Sequence, residues 1–162
     1  MIVQKATPMD VFDVAYRMRK KDFEEISATA GSDDRKKVAS RMQMGFENYY
    51  TDGWVVLDDK GKRVSIIGWT RYPDKLTRAR VGFFGTDDFE QMKMAITKLI
   101  RGKIDLWAQD ANVVRMDAQS LDGYEDSHKW LEFFGFKRGD VLINWKDSGR
   151  TFINFEKQIN IL

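Results

Sequence analysis

Apolar residues recur along the chain with two periods, and the change from one to the other marks out its elements. Val11, Val14, Ala15 and Met18 fall three or four residues apart, the spacing of one helix face. Thr7 precedes them as an N-cap, Pro8 as a first helical residue and Asp10 as the acid of a capping box. The segment DFEEISATAG, residues 22–31, adds a helical turn or two until Gly31 stops it. A second helix is predicted from Ser32, with Val38, Met42, Gly45 or Phe46, and Tyr49 on its buried side.

From Trp54 the pattern turns to strands. WVVLDD and VSIIGWTRY, separated by the turn KGKR, read as an antiparallel hairpin, and RARVGFFG (Arg78–Gly85) as a further central strand. Thr86 is placed to cap the next helix, whose stripe is Phe89, Met92, Ile96, Leu99 and Ile100. Asp87 and Asp88 stand in its first turn, where the helix dipole favours negative charge. The stripe resumes through Ile104 and Trp107, past an expected break at Gly102. NVVRMDAQS is another strand and YEDSHKWLEFF another helix, closed by Gly135. FKRGDVLINW and TFINFEK form a last hairpin around KDSG, and MIVQKA supplies a strand at the start. Hairpins demand antiparallel pairs and a helical crossover demands a parallel one. The expected fold is therefore α/β (α+β): a mixed, mostly antiparallel twisted sheet with a central parallel pair and helices on both faces.

Composition narrows the picture only a little. At 162 residues, 43% hydrophobic and 32% charged, the chain suits a single globular domain over residues 1–162. No apolar run approaches the ~18 residues of a membrane span, and MIVQKATPMD lacks the layout of a signal peptide. A net charge of +2 gives no strong nucleic-acid signal, because the basic clusters Arg17–Lys21, Arg35–Lys37 and Lys60–Arg63 have acids beside them. With one His and no Cys there is no zinc ligand set and no thiol nucleophile, so no metal is expected.

The element order, the opening VQKATPMDVFDVAYRM and the closing HKWLEFFGFKRGDVL resemble the GNAT family, the Gcn5-related N-acetyltransferases, over nearly the whole chain. Gly135-Phe136 is the most recognisable step. MRKKDFEEI, FFGTDDF, HKWLEFFGF and GRTFINFEK are further similar to a narrower set, the GNAT-like proteins of short-tailed phages related to a small internal virion protein. That resemblance implies a place in the virion, the bacterial host cytoplasm, or both. It also implies partners among other virion proteins or host proteins.

The broader resemblance implies acetyl-CoA or another acyl-CoA as cofactor and an amine as acceptor, and three chemical needs follow. The cofactor pyrophosphate needs backbone amides at a helix N-terminus, usually from a glycine-rich loop with a basic residue. Here the matching stretch is VGFFGTDDF, so the candidate amides are those of Phe84, Gly85, Thr86, Asp87 and Asp88. Two acids there oppose a phosphate, at about 4 kcal/mol for each uncompensated contact near 4 Å. The departing thiolate needs an acid, in many members a Tyr four residues before the Gly of the Gly-Phe step. That position is Leu131, which leaves Tyr124 and His128 as substitutes. The incoming amine needs a base, for which Asp117, Glu24 and Glu25 are candidates. Intact architecture with altered catalytic signatures favours a structural or interaction role. The alternative is an acetyl-CoA-dependent N-acyltransferase acting on an amine of a small molecule or protein.

Overall fold

The computed structural model describes residues 1–160. β1 (Ile2–Lys5) leads into α1 (Pro8–Tyr16), α2 (Lys20–Ala30) and α3 (Arg35–Phe46), followed by β2 (Thr51–Leu57), β3 (Arg63–Tyr72) and β4 (Lys75–Gly85). Then come α4 (Phe89–Asp110), β5 (Arg115–Leu121), α5 (Glu125–Phe133), β6 (Lys137–Leu142) and β7 (Phe152–Gln158). The strands form one sheet in the order β1-β2-β3-β4-β5-β7-β6, in which only β4 and β5 are parallel.

The capping box forms as expected. The Thr7 amide donates to Asp10 at 2.8 Å, and the Asp10 amide donates to the Thr7 hydroxyl at 3.2 Å. Between α1 and α2 the expected continuation is interrupted. Met18 makes a β-bridge to Thr86, and the Arg19 amide donates to Gly85 at 2.9 Å, so the chain is extended there. Residues 20–30 then form a helix of their own, ended by Gly31 at φ 66°. Tyr49, expected on a buried helix face, lies beyond α3 and is 77% exposed, because the helix stops at Phe46. The break expected at Gly102 is absent. α4 runs unbroken for 22 residues with Phe89, Ile96, Ile100, Ile104 and Ala108 buried, and Gly102 lies on its exposed side.

Alternation along the strands divides the core between the two faces. Val55, Ile66 and Phe84 meet Val11, Val14, Ala15 and Val38 under α1–α3. Ile67, Trp69, Ala79, Met116 and Phe155 meet Ile96, Ile100 and Phe134 under α4 and α5.

The β4–β5 seam decides where a site can form. Its register is Arg78 to Arg115, Ala79 to Met116 and Arg80 to Asp117, and no further pair follows among the described residues. Yet β4 continues along β3 to Gly85, and β5 continues along β7 to Leu121. Beyond Arg80 and Asp117 the two strands part, and the sheet opens in the middle.

Candidate functional site

A cavity of about 310 Å³ occupies this opening. Its walls are Arg80–Phe84 of β4 and Ala118–Ser120 of β5. It is bounded by Asp22, Glu25 and Ile26 of α2, by Ile100 of α4, and by Trp130, Leu131 and Phe134 at α5. Trp145 and Lys146 stand over it from the β6–β7 turn.

On the α4–α5 face the cavity is aromatic. Phe83 packs against Trp130 at 4.6 Å and Phe89 at 4.9 Å, and Trp130 meets Phe134 at 4.9 Å. The Trp130 indole N–H donates to the Thr97 hydroxyl at 2.9 Å, which ties α5 to α4. Opposite, on the α2 side, the surroundings are carboxylic. The Glu25 carboxylate accepts the Leu121 amide at 3.1 Å. Burial pushes its pKa up to about 7, with neighbouring Asp22 adding to the rise and the Leu121 hydrogen bond opposing it. Burial also raises the Asp22 pKa, against the Arg19 guanidinium at 2.9 Å and the Gly85 amide at 2.8 Å.

The other proton-carrying candidates are engaged elsewhere and do not line the cavity. Asp117 is 1% exposed and closes the seam, taking Arg78 at 2.6 Å and Arg115 at 3.3 Å. The Tyr124 hydroxyl donates to Glu24 at 2.6 Å, and partial burial together with that carboxylate lifts its pKa to about 12. His128, the other substitute for the proton donor, is buried. Its Nε2 lies 2.9 Å from the Leu121 carbonyl, which only accepts, so that nitrogen carries the hydrogen. The ring rests 5.1 Å from Phe155 in the core. Of the acids and bases named from sequence, the cavity gathers Glu25.

No protein-family model matches the sequence, and no curated protein matches it. Solved structures do match the fold. An acetyltransferase of the GNAT family from Bacillus anthracis superposes with a TM-score of 0.71 at 11% identity, over 96% of this chain and 93% of that one. This is the GNAT fold. Ribosomal-protein-S5-alanine acetyltransferase from Vibrio fischeri gives a TM-score of 0.67 at 17% identity, covering 98% and 92% of the two chains. A ribosomal-protein α-N-acetyltransferase in complex with coenzyme A gives 0.72 at 9% identity, covering 97% and 93%.

In a GNAT frame the resemblance places the cofactor phosphates at the β4–α4 junction, where the Gly85 and Thr86 amides are committed and the Asp87 and Asp88 amides have no hydrogen-bond partner among the described residues. The Gly85 amide is held by Asp22. The Thr86 amide donates to Val64 at 2.8 Å and the Phe89 amide to Thr86 at 3.0 Å. The Thr86 hydroxyl, expected to cap α4, also turns to Val64, at 3.2 Å. α4 starts at Phe89 with Asp88 at the N-cap position and no side-chain cap. Asp88 pairs with Lys62 at 2.6 Å, and Glu90 pairs with Arg19. Phe84, the first candidate, is buried under α1–α3. Three acids and a helical first turn stand where a glycine loop and a basic residue would grip a pyrophosphate. The residues present do not fit that group in its usual seat.

Proposed function

We propose that this chain uses the GNAT frame to bind and not to transfer acyl groups, as a component of a short-tailed phage that contacts other virion proteins or a host protein. The observation that carries the reading is the β4–α4 junction, where the Gly85 and Thr86 amides serve Asp22 and Val64. A donor already paired inside the protein offers a phosphate only an exchange of one bond for another, at the cost of an orphaned partner. Leu131 adds a second disagreement, since a hydrocarbon stands where the resemblance expects the proton donor.

A second reading, an acyl-CoA-dependent N-acyltransferase, is favoured by one observation. The central opening is present, and Glu25 lies in it with its pKa lifted to about 7. A carboxyl group so placed exchanges a proton near neutrality, as a base toward an amine requires. Likeness to acetyltransferases, one of them bound to coenzyme A, supports the same reading at the level of fold.

Calorimetric titration of the full chain with acetyl-CoA separates the two. The binding reading expects no heat up to millimolar cofactor. Saturation in the micromolar range overturns it and favours the acyltransferase reading. Mass spectrometry of purified particles tests the virion assignment, which fails if the chain is missing from them.

A further inference from the structure

Several arginines in this molecule are paired with carboxylates. Arg17 pairs with Asp13, Arg19 with Asp22, Arg63 with Asp10, and both Arg78 and Arg115 with Asp117. Arg80 has none among the described residues, although it borders the cavity where β4 and β5 part. Its register partner is Asp117, but that carboxylate is taken by Arg78 and Arg115. The Arg80 guanidinium lies instead between two rings, 5.6 Å from Tyr72 and 5.9 Å from Trp145, and its Nε is buried without a hydrogen-bond partner. A buried N–H left unbonded is destabilising.

A second cation is brought to the same cavity. Lys146 projects from the β6–β7 turn and, like Arg80, is in no ion pair among the described residues. Partial burial and then the Arg80 charge hold its amine below the usual lysine range. The turn that presents it is conformationally expensive. Asn144, Lys146 and Asp147 have φ of 49°, 50° and 57°, in the left-handed region that residues with a Cβ avoid. Backbone strain of this kind persists where surrounding structure imposes it, and it concentrates at binding sites. Two cations side by side, one with a buried orphan donor, are stabilised by an anion between them.

We propose that the mouth of the cavity is an anion site, where Arg80 and Lys146 receive a carboxylate or phosphate carried on an aromatic or apolar body. Trp145 and Tyr72 lie near the Arg80 guanidinium without using its N–H donors, which suit carboxylate and phosphate oxygens. The apolar body enters beside Phe84, on the same face of β4 as Arg80. The site involves neither the β4–α4 junction nor acetyl-CoA, so it and the proposed function can fail separately.

The test is an NMR titration of the full chain, following the Arg80 Nε–Hε resonance at constant ionic strength. The probes are benzoate and phenyl phosphate, with benzyl alcohol as the neutral control. A saturable shift with benzoate assigns a carboxylate, one with phenyl phosphate assigns a phosphate, and benzyl alcohol produces neither. K146Q, on an exposed turn, weakens the saturating probe about tenfold, the loss of one charge-assisted contact. R80Q removes saturation as followed by the neighbouring Trp145 indole. Unsaturable shifts with both anions, equal response to benzyl alcohol, or unchanged affinity in K146Q overturn the proposal.

Discussion

Glu25 shows how far a single residue can be read from sequence. It stands among several acids after the first helix, and spacing gives it no privilege over Glu24 or Asp22. What sets it apart is the amide of Leu121, 96 positions away, and burial under α2. Neither is a local property. The shift carries a consequence for stability. The unfolded chain loses the Glu25 proton near pH 4.5, whereas the folded chain keeps it to about 7. The folded state binds more protons across that interval, so its stability falls as pH rises from about 4.5 to 7 and then levels off. E25Q, which retains an acceptor for Leu121 and has no charge to desolvate, is expected to be more stable than the parent at pH 8 by roughly 1–3 kcal/mol. The difference shrinks toward zero near pH 4, and urea denaturation across this range measures it. A pH-independent difference would place the effect outside Glu25 ionisation. His128 shows the opposite case. A lone polar residue on a mostly exposed helix reads as solvated, and only the packing of α5 on Phe155 shows that it is core.

Elements whose boundaries rest on local chemistry follow the sequence closely. The Thr7–Asp10 box starts α1, Gly31 ends α2, and the KGKR turn joins β2 to β3. Departures arise where distant contacts decide. Met18 and Arg19 are drawn out of helix by the end of β4, and Gly102 stays helical because Ile100 and Ile104 are held in the core around it. A glycine on an exposed helix face costs about 1 kcal/mol against alanine, less than the burial of that stripe returns. The link between α4 and α5 is likewise invisible in either helix alone. It consists of the Trp130 indole on Phe83, Phe89 and Phe134, with its N–H on Thr97. W130A is expected to destabilise the fold by about 3 kcal/mol, the lower end for a large aromatic that is half-buried. W130F, which keeps a ring and loses the hydrogen bond, costs about 1 kcal/mol. Chemical denaturation of both variants checks the ratio, and equal losses would show that the ring packing contributes little.

Across the whole molecule, the strand directions were legible because hairpins and crossovers permit few alternatives, and the resemblance in sequence led to the same architecture. The opening between β4 and β5 was not legible, since nothing in RARVGFFG or NVVRMDAQS records where their pairing stops. Because the seam is only three rungs long, strands at the geometric centre of the sheet carry backbone groups with no strand neighbour on one side among the described residues. Amide protons normally exchange slowest at the centre of a sheet and fastest at its rim. Here the order is expected to invert locally. Amides of Val81–Phe84 and Ala118–Ser120 that face the gap should exchange with deuterium as fast as those on the outer strand β6, while amides between β2 and β3 stay protected. Hydrogen exchange read by NMR decides this, and uniform slow exchange across the centre would mean that the gap is closed in solution. The middle of the protein is then where solvent first reaches the backbone, and any ligand seated there is recorded as a slowing of that clock.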